Sequence, residues 1–169
     1  PSFLDWDELR TVMETDMPSG RLKRVKDVFV FCALTGLSYQ RVSTLCPSHL
    51  FRDDEGTLWI CRTRAEGAEV GDSCTSRVPL LKPAMVLLEK YRGWNLMNPE
   101  GPCFPVPSVQ KMNEYLKEVA ARCRISKRLT TQMARNTFAA TVTLASRIPK
   151  EHVREMLGYS SDYMLRHYM

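Results

Sequence analysis

LTTQMARNTFAATVTLASRIPKEHVREMLGYSSDYMLRHYM, residues 129–169, is the stretch whose reading decides the fold. It divides into three short helices in a row. Thr130 or Thr131 offers an N-cap hydroxyl to the first, along which Met133, Phe138, Val142 and Leu144 recur at near-helical spacing. Ile148-Pro149 then breaks the chain. Proline suits the first turn of a second helix, KEHVREML, which Gly158 closes. Ser160 or Ser161 caps a third helix that ends at His167-Tyr168. Any helical protein contains such periodicity; the polar residues are more specific. Arg135 stands one turn into the first helix, inside A-R-N-T-F-A. Leu157-Gly158 leads to Tyr159, and Tyr168 follows near the end.

Working outward, the chain of 169 residues has the length of one domain with a real core. Apolar residues make up 44% and charged residues 25%, the balance of an ordinary globular chain and not of a disordered one. The net charge of +5 is compatible with a polyanionic partner. Six cysteines show neither a C-x-x-C pair nor a histidine at metal-ligand spacing. Cys32 and Cys123 lie among apolar helical residues, which predicts buried reduced thiols and favours a cytoplasmic setting. No apolar run is long enough to span a bilayer. The abrupt start at Pro1 and the stop just after Tyr168 suggest a single C-terminal domain, residues 1–169, cut from a longer protein.

From the N-terminus, Leu4–Met13 reads as a helix capped by Asp5, followed by a loop at Pro18-Ser19-Gly20. Leu22–Leu34 is a buried helix, cationic at its start and apolar afterwards, ended by Thr35-Gly36-Leu37. Three strands are expected at His49–Asp53, Thr57–Arg62 and Cys74–Leu80, with a turn at Asp54-Glu55-Gly56. Between the last two strands, TRAEGAEVGDS is long, polar and glycine-containing, as a mobile hairpin loop should be. Leu80–Tyr91 is a helix with Pro83 in its first turn, and Trp94–Pro107 an irregular connection. Ser108 caps a helix over Val109–Arg122 whose apolar face is Met112, Tyr115, Leu116, Val119 and Ala120. Arg122, Arg124, Lys127 and Arg128 then form a basic cluster that suits either a solvated loop or a phosphate-contacting edge. The fold class is mainly α with a small three-stranded antiparallel sheet.

The C-terminal block, with T-G-L ahead of it, resembles the catalytic domain of tyrosine recombinases (the phage integrase family), particularly integrases of mobile and conjugative elements. That family carries a block like H-x-x-R-H-T-F-A-T, then L-G-H, then a tyrosine nine residues after the second histidine. Arg135 matches its second catalytic arginine and Tyr168 its nucleophile, while Tyr159 stands at the later histidine; the intervals 135 to 159 and 159 to 168 fit. The resemblance covers nearly the whole chain. It implies an α+β catalytic domain acting on double-stranded DNA, monomeric alone and tetrameric on DNA, with a core-binding domain preceding it. It also implies strand cleavage and rejoining through a 3′-phosphotyrosyl intermediate, which requires no cofactor and no metal.

Several positions depart from the family pattern. Ser38 stands where T-G-L should be followed by the first catalytic arginine, Gln132 where a histidine or lysine precedes Arg135, and Glu66 where the hairpin should carry a lysine. The hairpin loop contains no lysine at all; Arg62 and Arg64 are near, but an arginine with a pKa above ~12 is a poor proton donor. Arg41, three residues after Ser38, and Arg24 and Lys26 on the preceding helix are the cations that could replace the lost arginine. Arg41, Arg62, Arg64, Arg124, Lys127 and Arg128 are candidate DNA contacts. With so many departures, two readings stay open: an active DNA strand transferase, or a catalytically weak or inactive DNA-binding relative acting at recombination sites.

Overall fold

A computed structural model of the chain describes residues 2–62 and 76–147. Its organising element is α2 (Gly20–Thr35), the longest helix described. Val28 through Leu34 are buried in an unbroken run, so the helix is apolar on every face and needs cover on every face. Four helices supply it: α1 (Trp6–Glu14), α4 (Lys82–Lys90), α6 (Val109–Arg122) and α7 (Thr131–Thr137). Fully burying a side chain such as Phe29 or Phe31 contributes about 2 kcal/mol.

Caps set the ends of these helices. Asp5 and Glu8 form a reciprocal capping box on α1, with bonds of 2.8 and 3.0 Å. Ser108 caps α6 and Thr130 caps α7 through their side-chain oxygens. At the other end of α2, Gly36 adopts φ 77° and donates its N–H to the Cys32 carbonyl at 2.8 Å. Only glycine takes that left-handed conformation without strain, which is why Thr35-Gly36-Leu37 stops the helix where the sequence predicts. The chain turns there into the short α3 (Tyr39–Ser43).

β1 (Leu50–Arg52), β2 (Leu58–Arg62) and β3 (Ser76–Pro79) form an antiparallel sheet in the order β1-β2-β3. The first two strands begin one residue later than expected, the first also ends one residue sooner, and the third ends one residue sooner, at Pro79. Asp53 closes the first hairpin: its carboxylate accepts from the Glu55 and Thr57 backbone N–H groups and from the Trp59 indole at 2.9 Å. Ile60 and Val78 pair across β2 and β3 and face the core.

Two expectations need correction. The connection expected to be irregular contains a short helix, α5 (Arg92–Leu96). Leu144, assigned to the apolar face of the helix that begins at Thr131, is 63% exposed. The cause is a π-helical turn at Phe138–Val142 between α7 and α8 (Thr143–Ala145). One extra residue in a turn rotates everything after it, so Thr143 is buried and bonds the Ala139 carbonyl while Leu144 turns outward.

Cys32 and Cys123 are buried free thiols, as expected. Cys61 is disulfide-bonded, a state that the sequence did not announce. No helix among the described residues is long and apolar enough to cross a membrane. The second and third helices of the C-terminal block, the hairpin loop at 63–75, and with them Arg64, Glu66, Tyr159 and Tyr168 lie outside the described residues.

Candidate functional site

The guanidinium of Arg41 lies within electrostatic reach of two others, those of Arg135 and Arg62, each carried by a separate element. Arg135 is carried by α7, which begins where the Thr130 hydroxyl accepts the Met133 N–H at 3.0 Å and which packs along α2. Packing against α2 leaves Arg135 only 8% exposed. Burial lowers the pKa of its guanidinium, the nearby Arg41 charge lowers it further, and Cys32 acts in the opposite sense. Burial in turn pushes the Cys32 thiol up to about 12 in spite of Arg135.

Arg41 reaches the same place from α3. Ser38 is the N-cap of that helix, and its Oγ accepts the Arg41 backbone N–H at 3.3 Å. Burial lowers the Arg41 pKa, and its Nη1 is enclosed without a hydrogen-bond partner. A charged donor in that condition is unusual, because buried polar groups are nearly always satisfied.

Arg62 comes from the sheet. Strand alternation puts it on the same side of β2 as Leu58 and the buried Ile60. It thus points inward to α3, where Nη1 donates to the Arg41 carbonyl at 2.7 Å and Nη2 to Thr44 Oγ1 at 2.9 Å. Burial lowers its pKa first and the Arg41 charge second. All three guanidinium groups keep their protons near neutrality, since arginine has no neutral form there. The result is a half-desolvated concentration of positive charge. On its flank His49 accepts the Cys46 N–H at Nδ1, and burial followed by Arg62 lowers its pKa.

The other predicted residues are distributed differently. Gln132 is exposed and donates Nε2 to Asn136 Oδ1 at 3.0 Å. Lys26 donates Nζ to the Thr15 carbonyl at 2.6 Å, and Arg24 lines a separate groove with Arg21, Val106 and Tyr115. Lys127 ties down the N-terminal region, with Nζ 2.7 Å from Glu8 Oε1 and 3.0 Å from the Phe3 carbonyl. Arg124 and Arg128 are exposed in the turn after α6. The involvement of Thr44, which accepts from Arg62 Nη2, is marked by nothing in the sequence. Among the described residues, no group of three His, Cys, Asp or Glu could hold a metal ion.

No family model matches the sequence, and no curated protein matches it. Solved structures do. XerA recombinase aligns with 99% of this chain at a TM-score of 0.72 and 18% identity. XerH site-specific recombinase in a pre-cleavage complex with its difH substrate aligns with 100% at 0.74 and 17%. The Tn1549 transposon integrase in complex with transposon right end DNA aligns with 100% at 0.67 and 13%. The chain spans 60%, 50% and 61% of the length of those three proteins, respectively. At such identities the likeness establishes the fold: this chain has the tyrosine recombinase catalytic-domain fold.

Proposed function

We propose that this chain is the catalytic-type domain of a tyrosine recombinase, which cuts and rejoins double-stranded DNA through a 3′-phosphotyrosyl intermediate on Tyr168. The single observation that carries this reading is Arg41, with an enclosed Nη1, set near both the buried Arg135 and Arg62, whose Nη1 bonds the Arg41 carbonyl. Planar guanidinium groups donate in pairs to phosphate oxygens, and such preorganised donors count for most where water is excluded. A phosphodiester under attack gathers negative charge on its non-bridging oxygens, which this site would offset. The phenol, with a reference pKa near ~10, needs the same positive field to attack at neutral pH. Energy stored in the phosphotyrosyl bond drives rejoining, so no nucleotide and no metal enters the scheme. The working form is a tetramer on DNA.

A second reading, a catalytically weak DNA-binding relative, is favoured by one detail. The side chains at two substituted positions are engaged locally, Ser38 in its helix cap and Gln132 with Asn136. A nicked suicide substrate decides between the two. The parent chain is expected to form a covalent protein–DNA adduct and Tyr168→Phe none. No adduct from the parent, with DNA binding retained, would establish the second reading.

A further inference from the structure

We infer that Arg41 takes over the phosphate contact that an arginine at position 38 would have made, and that Arg62 is the positioning residue that aims it. The inference rests on the strand-transferase reading above. Its starting point is the enclosed, unpartnered Nη1 of Arg41, a charged donor held beside a second buried guanidinium. A structural role leaves that arrangement without a reason, since an enclosed charged donor is ordinarily satisfied even on a half-buried residue. An anion with several oxygens settled between Arg41 and Arg135 would satisfy Nη1 and offset the repulsion at once.

The neighbours explain why Arg41 serves and Lys26 and Arg24 do not. Lys26 is spent on the Thr15 carbonyl and Arg24 lies in another groove. Ser38 caps α3 by accepting the Arg41 N–H, which fixes the direction in which the helix leaves Gly36. Arg62 grips the far side of the same helix through the Arg41 carbonyl and Thr44 Oγ1. The cap and the grip hold the short α3 from both ends, with Arg41 between them. In the reaction the Tyr168 oxygen forms a bond to phosphorus and the bond from phosphorus to the 5′ oxygen breaks. The phenol gives up a proton to solvent and the leaving oxygen gains one. Arg41 makes and breaks no covalent bond; it donates hydrogen bonds to a non-bridging oxygen throughout.

The test compares the parent, Arg41→Ala and Arg41→Lys on two suicide substrates, one with a normal scissile phosphate and one with a neutral methylphosphonate there. Expected is a loss of about 10²-fold in adduct rate for Arg41→Ala on the phosphate, a loss under about threefold on the methylphosphonate, and partial rescue by lysine. An equal loss on both substrates, or no loss on either, overturns the inference. Should Arg41→Ala not fold, the same comparison made with Arg41→Lys decides. Stabilisation against heat by inorganic phosphate, measured in parallel, separates the two levels of the argument. If the parent forms no adduct but phosphate stabilises it and not Arg41→Ala, the anion site stands and the strand-transferase reading falls. If the parent forms no adduct and phosphate stabilises both proteins equally, the Arg41 assignment falls too.

Discussion

Arg62 Nη1 donates to the backbone carbonyl of Arg41 at 2.7 Å, which joins the middle strand of the sheet to the short helix that follows Gly36. Two residues far apart in the chain thereby act on one side-chain position. Because the bond is to backbone, it fixes where Arg41 starts without occupying its guanidinium.

Removing that grip should leave the fold intact while loosening α3. Arg62→Met keeps the apolar stem and deletes both bonds, and is expected to cost about 1 kcal/mol in denaturant unfolding. Adduct formation should fall by a larger factor than that, since a small displacement of Arg41 weakens a directional contact. Unchanged cleavage in a folded Arg62→Met protein would mean that α3 holds its place without help.

Restoring an arginine at position 38 is not expected to repair the site. Ser38→Arg deletes the Oγ that accepts the Arg41 N–H and adds a positive charge beside Arg41. Loss of the cap should lower stability by about 1 kcal/mol, and cleavage should not rise. A clear gain in adduct yield would show that the site lacks a cation that Arg41 does not supply.

Inside the bundle, Asp27 Oδ2 accepts from Tyr91 Oη at 2.6 Å and lies 2.7 Å from Lys90 Nζ. Asp27→Ala strands the buried Tyr91 hydroxyl and should destabilise by about 2 kcal/mol, read from thermal melts. Burial and the Asp27 bond raise the Tyr91 pKa above its ordinary 10.0. The neutral phenol is therefore favoured by folding: its contribution is complete below pH 10 and declines as pH rises toward the folded value. Stability measured from pH 9 to above 11 should fall more steeply in the parent than in Tyr91→Phe.

Thr137 links the N-terminal segment to α7, since its Oγ1 accepts the Leu4 N–H at 3.0 Å and donates to the Met133 carbonyl at 2.8 Å. Thr137→Val keeps the shape and leaves a buried N–H unsatisfied. A loss of about 2 kcal/mol is expected, seen as a Tm several degrees below the parent. Thr137→Ser, which keeps the hydroxyl, should recover most of it.

DNA binding should be driven by phosphate contacts and fall linearly with log salt concentration. Arg128→Ala, at an exposed cation, should reduce the slope by about one without changing sequence preference. Fluorescence anisotropy with a short duplex over a salt series measures both, and a flat salt dependence would refute the electrostatic account.

Much of the fold was legible because local chemistry specified it. Asp5, Ser108, Thr130 and Gly36 announce helix ends through groups that satisfy or terminate a backbone ladder, and the structure uses each of them so. The run ending at Arg62 announces a strand by following the Asp54-Glu55-Gly56 turn, and Val28–Leu34 a helix that must be surrounded. Leu144 was misread because a π-helical turn leaves no mark in a periodicity that assumes 3.6 residues per turn.

The sequence by itself also named Arg135, from its place in a motif, and flagged the substitution at Ser38. What it left open was which cation lies beside Arg135. Arg41 was the first candidate and Arg24 and Lys26 further ones, and the chain could not decide among them, because spacing says how far a residue is from a motif and not which way its helix leaves the preceding turn. Tertiary structure decided that. The left-handed Gly36, the Ser38 cap and the Arg62 grip together set the direction of α3, while packing around α2 turns Lys26 to Thr15 and Arg24 to another groove. Arg41 comes near both Arg62 and Arg135 only when a helix, a strand and a second helix are docked against one core, and no local pattern encodes that juxtaposition.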